Sequence, residues 1–341
     1  MKPKAIVAPS FREMTEIFDL TTLERLHGLV DVQWGRNGPM PQQLFHEATQ
    51  EATAVIFGTW HYGTDAIVQA GPSLRQVFEV AGTHDHPDLD YDECFERGMT
   101  IGGCAPAFAS AVAEHALALS LAAGRLIVEG DAGFRTGHER WLHDGNIGAT
   151  THFGKKIGFV GAGGLSRALQ QLLLPFGVEF LAYDPWLGPT KLGERGLKPA
   201  GLQALFSESD IIFVLAVPTA ENAGLVSREL MEMLTPEKIL VVVSRAHLVD
   251  FDAMTELVLA GRFRVATDVF PQEPLEAGHP LRRAKGAVLS AHKAGAIPEA
   301  LLEIGRMVVD DLELLLAGET PTRMQYATRE MLAALRGDGA R

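Results

Sequence analysis

The chain has 341 residues, 47% of them apolar and 21% charged, with a formal net charge of −13. That length accommodates two domains of ordinary size, each with its own core, and the acidic balance argues against nucleic acid or an anionic membrane surface as the main partner. Two cysteines, Cys94 and Cys104, cannot build a four-cysteine zinc site and read as small buried hydrophobes rather than a disulfide. Lys4 leads directly into the strand-like AIVA, which leaves no room for a signal peptide. The apolar stretch Ala116 to Val128 is interrupted by Arg125 and is short for a bilayer, so a cytoplasmic protein without a membrane partner is expected.

Over the first hundred residues, short apolar runs alternate with helical segments. Ala5 to Ala8, Val30 to Trp34, Ala54 to Gly58, Leu74 to Ala81 and Met99 to Gly102 read as strands. Phe11 to Phe18 with Thr22 to Gly28, Pro41 to Gln50, Thr64 to Gly71 and Asp88 to Gly98 fill the gaps as helices. Such alternation predicts a parallel sheet with helices on both faces. A long helix then spans Ala107 to about Glu129, with Val112, Ala116, Leu119 and Ala123 on one stripe and Glu114 and His115 off it. Gly130 to Phe153 reads as turn-rich.

The sequence KKIGFVGAGGLS follows. Ile157 to Val160 is strand-like, Gly161, Gly163 and Gly164 make a tight turn, and Leu165 to Phe176 has helical spacing. Strand, glycine turn and helix in that order predict a dinucleotide fold, with backbone N–H groups around Leu165 facing a pyrophosphate at the positive end of the helix. Ser166 stands where a third glycine of the fingerprint is usual. The next strand, Glu179 to Tyr183, ends at Asp184, about 20 residues beyond Gly163, where a carboxylate accepts from both ribose hydroxyls of NAD and repels a 2′-phosphate. Asp184 also stands before Pro185, and capping a turn there is its structural alternative.

Alternation resumes with strands at Ile211 to Val217, Ile239 to Ser244, Val265 to Phe270 and Ala287 to Ala291, with helices at Ser227 to Leu234 and Asp250 to Leu259. The apolar helix Glu299 to Leu316 leads into a polar tail. Three strand ends carry ionisable groups: VVVSRA presents Arg245, ATDVFPQEPLE presents Asp268 and Glu273, and VLSAHKAG presents His292. Open parallel sheets bind ligands at such ends. An Arg fork can clamp carboxylate and carbonyl, a His can protonate a developing alkoxide, and a Glu can hold the imidazolium, which together would reduce a 2-keto acid. Taken singly, Arg245 could be an ion-pair partner, Glu273 a turn residue and His292 a core residue.

These motifs, from AVAEHALALSLAAGR through VGAGGLS, YDP, SRA, DVFPQEP and AHKAG, resemble those of the D-isomer-specific 2-hydroxyacid dehydrogenases. The resemblance implies an α/β protein of two doubly wound parallel-sheet domains, the second a Rossmann NAD-binding domain inserted into the first. The implied boundaries are residues 1–106 with 298–341 for the substrate domain and 107–297 for the cofactor domain. It further implies catalysis by Arg245, Glu273 and His292, and an NAD site that includes Val217, Pro218, Ser244, Asp268 and Gly295. A homodimer joined through the cofactor domain, with the helix at Ala107 to Arg125 taking part, is the implied assembly. The implied reaction transfers a hydride between NAD and a small D-2-hydroxy or 2-keto acid. The same scaffold also serves as an NAD-responsive partner of other proteins, which is the competing expectation. Departures from the family pattern are Ala246 for Gly after the Arg, Ala291 for Pro before His292, Lys293 for an apolar residue, and no Asn within Val241 to Val243.

In the first half, Val80, Ala81 and Gly82 match the family segment whose N–H groups hold the substrate carboxylate. Trp60, His61 and Tyr62 come near the cleft by the same analogy, either shaping the substrate pocket or packing their loop. His84, Asp85, His86, Asp88 and Asp90 crowd one loop; a solvated loop capping the next helix is expected there rather than a metal site.

Overall fold

Runs of β-branched and aromatic residues, buried on both faces, build two sheets, as parallel strands covered by helices require. The structure, a computed structural model, describes residues 2–82, 84 and 86–336. The first sheet contains β1 (Lys4–Ala8), β2 (Asp31–Trp34), β3 (Ala52–Phe57), β4 (Gln76–Glu79) and β5 (Thr100–Gly103), parallel and ordered β5-β4-β3-β1-β2. The second contains β6 (Lys156–Val160), β7 (Glu179–Tyr183), β8 (Lys198–Pro199), β9 (Ile211–Val214), β10 (Ile239–Val242), β11 (Arg264–Thr267) and β12 (Ala287–Leu289), ordered β12-β11-β10-β9-β6-β7-β8. A late strand, β13 (Gln325–Tyr326), joins the first sheet antiparallel to β5, with Tyr326 opposite Gly102. This is the doubly wound α/β class with a Rossmann-type second sheet.

Contacts divide the chain into two units. One contains the residues up to Phe108 and those from Ala296 onward, and the other is Ala109–Gly295. In the second unit the period of two sends alternate residues to opposite cores. Ile157, Phe159, Phe213, Ile239 and Val241 face one layer, and Val160, Val214, Leu240, Val242 and Val265 face the other. The helix Ala105–Gly124 contributes Ala113, Ala116, Leu119 and Ala123 to the same layer as Phe159. Its 20 residues are long and apolar enough to cross a bilayer by length and composition, more than the reading from Ala116 foresaw, yet this stripe is buried in the core.

Three element boundaries differ from expectation. The long helix stops at Gly124 because Leu126 adopts a left-handed φ of +55°, and a separate helix Ile127–Thr136 begins inside the stretch read as helix and then turns. Predicted strands such as Ile211 to Val217 end two or three residues earlier, because the chain leaves the ladder where it reaches the ligand-binding edge. The polar tail is ordered as β13 and the helix Arg329–Arg336. Buried Asp311 accounts for the strand: its carboxylate accepts the N–H groups of Thr322, Arg323 and Met324, each at 2.8 Å, and the Tyr326 hydroxyl at 2.6 Å. The helix Pro298–Ala317 that carries Asp311 packs so closely on Met14–Ile17 that a Cβ on Gly305 would lie 1.8 Å from the Ile17 carbonyl oxygen.

Candidate functional site

At the carboxyl end of β6 the sheet order reverses, which opens a crevice between β6 and β9. Gly161 turns the chain there with a φ of +97°, and a Cβ on it would lie 2.5 Å from the Ala216 backbone. Gly163 and Gly164 are exposed, and Cβ atoms on them would meet nothing within 4 Å. The helix Gly164–Leu173 has no side-chain cap, which leaves its first N–H groups without a side-chain acceptor, and Leu165 beside them is half-buried. Ser166 fits in place of a glycine because its buried hydroxyl donates to the Gly163 carbonyl at 2.9 Å. These residues fit a dinucleotide pyrophosphate, in space, in donors and in the sign of the helix dipole.

Asp184, at the end of β7, is half-buried and does both things the sequence allowed. Oδ2 accepts the Ala162 N–H at 2.8 Å, and Oδ1 accepts from Trp186 and Leu187, which caps the turn. A carboxylate offers about four lone-pair sites, so these three bonds do not use up its acceptor capacity. Arg195, which sequence reasoning missed, donates to the Ala162 carbonyl at 2.8 Å and so reaches the same glycine turn from beyond β7. Val217 is exposed, and its carbonyl accepts from Asn222 at 2.9 Å; Pro218 lines a surface groove with Arg245, Ala246, His247, Phe270 and Pro271.

The carboxyl ends of β10, β11 and β12 carry the predicted ionisable groups. His292 Nδ1 lies 2.6 Å from Glu273 Oε2, with both side chains more than a third exposed. Glu273 Oε1 accepts the Phe270 N–H at 3.0 Å, which fixes the carboxylate against its own turn. An Nδ1–H donated to Glu273 leaves Nε2 outward as the working nitrogen. Asp268, 1% exposed, holds the turn after β12: it accepts from Lys293 and Ala294 through its carboxylate and from His292 through its carbonyl. Gly295 ends this turn, half-buried. Arg245 is exposed, and its one side-chain hydrogen bond among the described residues goes to the Ser244 carbonyl at 2.8 Å, so it does not join the Glu273–His292 pair directly. The Ser244 hydroxyl is buried without a partner among the described residues. Ala246 replaces glycine at no cost, since it starts a short 3-10 turn with its methyl group in the core. His115, read as lying off the buried stripe, is engaged: its Nε2 is 2.9 Å from Ser290 Oγ.

The first unit departs further from expectation. The N–H groups of Ala81 and Gly82 are taken: both donate to Glu79 Oε1, that of Gly82 at 2.7 Å. Glu79 is fully buried, its Oε2 has no partner among the described residues, and His86 Nε2 stands 3.8 Å from Oε1. Arg12 braces the same loop from outside by donating to the Val80 carbonyl at 2.8 Å. Trp60 is 4% exposed, with its indole N–H on the Gly63 carbonyl, and Tyr62 stacks on Phe45 with ring centroids 3.5 Å apart. Both therefore pack the loop, and burial pushes the Tyr62 hydroxyl up to about 12. His84 is buried, with Nε2 on the Gln325 carbonyl, and burial lowers its pKa. Asp90 caps the helix Tyr91–Glu96, and Asp85 lies outside the described residues. Cys94 and Cys104 are buried and unpaired; burial drives the Cys94 thiol up to about 12 and Cys104 well above its ordinary value, so neither is a nucleophile.

Residues 117–294 match the family model described as D-isomer specific 2-hydroxyacid dehydrogenase, NAD binding domain. A D-3-phosphoglycerate dehydrogenase of Mycobacterium tuberculosis is 31% identical over 88% of this chain, which spans only 55% of that relative's length. A glyoxylate reductase of Korarchaeum cryptofilum is 28% identical over 95% of this chain and 96% of its own. The crystal structure of a phosphoglycerate oxidoreductase from Rhizobium etli superposes with a TM-score of 0.87 at 34% identity, covering 96% of this chain and 99% of that one. The glycine turn, the acid after β7 and the Glu273–His292 pair thus stand in a chain that belongs to the D-isomer specific 2-hydroxyacid dehydrogenase family.

Proposed function

We propose that this chain is an NAD-dependent oxidoreductase that interconverts a small 2-keto acid and its D-2-hydroxy acid. The observation that carries the reading is the 2.6 Å contact between His292 Nδ1 and Glu273 Oε2 at a strand end of the NAD-binding domain. Gly161, Gly163, Gly164 and Leu165 would hold the pyrophosphate of NADH and Asp184 would accept from its adenosine ribose, and the bound cofactor would supply the hydride. Val217, Pro218, Ser244, Asp268 and Gly295 form the wall of the nicotinamide end. Arg245 clamps the substrate carboxylate and carbonyl with its guanidinium fork. His292 gives the Nε2 proton to the oxygen as the carbonyl carbon is reduced, and Glu273 keeps the imidazolium oriented and balanced in charge. In the opposite direction neutral His292 takes the hydroxyl proton.

The Ala81 and Gly82 amides take no part in this reading, because Glu79 holds them. A homodimer is supported by exposed apolar side chains gathered between the long helix and β6: Ile127, Phe134, Trp141, Leu142, Ile147 and Phe153. We place the protein in the cytoplasm, on the sequence reading above. The test is NADH oxidation with glyoxylate, hydroxypyruvate, pyruvate and 2-ketobutyrate, and NAD reduction with 3-phosphoglycerate. Turnover of at least one acid with NADH preferred over NADPH supports the reading. A chain that binds NADH and turns over none of them is a binding module.

A further inference from the structure

The proposed chemistry does not use the imidazole of His115. His115, on the helix Ala105–Gly124, has Nε2 at 2.9 Å from Ser290 Oγ and at 3.5 Å from Asp268 Oδ1, with its side chain 24% exposed. Asp268 is the clasp of the turn that presents His292. Its carboxylate accepts the N–H groups of Lys293 at 3.1 Å and Ala294 at 2.9 Å, and its carbonyl accepts that of His292 at 2.7 Å. Ser290 is tied to the neighbouring strand β11 through its N–H on the Thr267 carbonyl at 2.9 Å. His292 has a φ of +47°, a left-handed backbone that costs a residue other than glycine roughly 1 kcal/mol or more. Such a turn persists only where its surroundings hold it, and two of its holders, Asp268 and Ser290, meet at one nitrogen of His115.

We propose that His115 is a positioning residue for His292. A hydrogen on Nε2 directed at Ser290 Oγ ties the β12 end to the long helix, with the Asp268 carboxylate alongside at 3.5 Å. That link fixes the β12 end from the far side of the turn, while Glu273 fixes the His292 ring from the near side. A leucine at 115 would fill much the same volume but leave the Ser290 hydroxyl unpartnered and Asp268 held by the turn alone. The kinetic consequence rests on the reading of His292 as proton donor; the structural consequence does not.

The test compares His115→Leu, His115→Gln and Ser290→Ala with the unaltered chain. Gln carries its amide nitrogen at about the reach of Nε2 and keeps the donor. His115→Leu should lower kcat for keto-acid reduction about ten- to hundredfold, with KM and the Kd for NADH within about twofold. His115→Gln should recover most of that loss, and Ser290→Ala should fall between. Nitrogen NMR of labelled histidines, with His292 assigned from His292→Gln, reads the Nδ1 bond to Glu273 without turnover. That signature should persist in His115→Gln and be lost or broadened in His115→Leu. A His115→Leu chain that keeps both kcat and the His292 signature overturns the proposal. So does one whose kcat, NADH binding and Tm fall together with no recovery by Gln, because that is general support of the fold. Where no acid is turned over, the functional reading fails and the nitrogen signature still decides the role of His115.

Discussion

After β6 the chain turns through Gly161, Gly163 and Gly164 and leaves the N–H groups of a helix N-terminus without a side-chain partner. After β4 it turns through Ala81 and Gly82, and both N–H groups close on Glu79. Each is a cluster of backbone donors at the carboxyl end of a parallel strand, the position where such sheets bind anions. The first is open and selects a ligand from solution. The second is filled in cis by a carboxylate two and three residues away, so any anion reaching it would have to displace a group already at high effective concentration. A motif that supplies N–H donors therefore predicts a binding site only where no neighbouring acid takes them.

In the proposed function Arg245 anchors the substrate carboxylate, and breaking that anchor should have the largest effect. Arg245→Lys keeps the charge and loses the fork, so kcat/KM for the keto acid should fall on the order of 100-fold with KM raised, while the Kd for NADH stays within about twofold. Near-normal kinetics would move the clamp elsewhere. Opening the closed cluster comes next: Glu79→Ala removes a buried acceptor of two N–H groups and should lower stability by roughly 2 kcal/mol. Acetate should then raise the Tm of this variant and not that of the unaltered chain. Absence of an acetate effect would mean that the freed amides are not an anion site.

Narrowing the open cluster is a smaller change. A Cβ on Gly164 meets no protein atom, so Gly164→Ala should leave Tm equal or higher yet weaken NADH about tenfold by crowding the space in front of the helix. Unchanged affinity in titration calorimetry would put the pyrophosphate elsewhere. The smallest effect concerns His152, which belongs to neither cluster. It is buried against Ser120 Oγ at 2.9 Å, and burial lowers its pKa from 6.5 to about 4. Below pH 6.5 the unfolded chain binds a proton that the folded chain refuses until about pH 4, so stability is full above 6.5 and is lost between those values. Denaturation at several pH values should show His152→Gln removing on the order of 1 kcal/mol of that slope.

What the sequence revealed and what it concealed follow from how local each signal is. Gly161, Gly163, Gly164 and Asp184 were legible because a turn, an uncapped helix and a strand end each occupy a few consecutive residues. Glu273 and His292 were legible through the chemistry that needs an acid beside an imidazole, and they meet at 2.6 Å. Glu79 was not, because one acid in an apolar strand carries no sign that its side chain will curl back onto the next turn. His115 falls off the apolar stripe because helical periodicity knows only the core, whereas its partners Asp268 and Ser290 come from two distant strand ends. Leu126 breaks the long helix just after Gly124 by taking a left-handed φ that its residue type does not announce, and Asp311 orders a polar tail through contacts that exist only once the sheet has formed.

Single-turnover mixing of NADH-loaded protein with a keto acid that it reduces is the most direct measurement of the Glu273–His292 pair. The unaltered chain should show a burst of NADH oxidation. Glu273→Gln should slow that burst, and His292→Ala should abolish it while binding NADH as tightly as before. Equal bursts in all three proteins would contradict a proton donor at His292 and leave only the cofactor site standing.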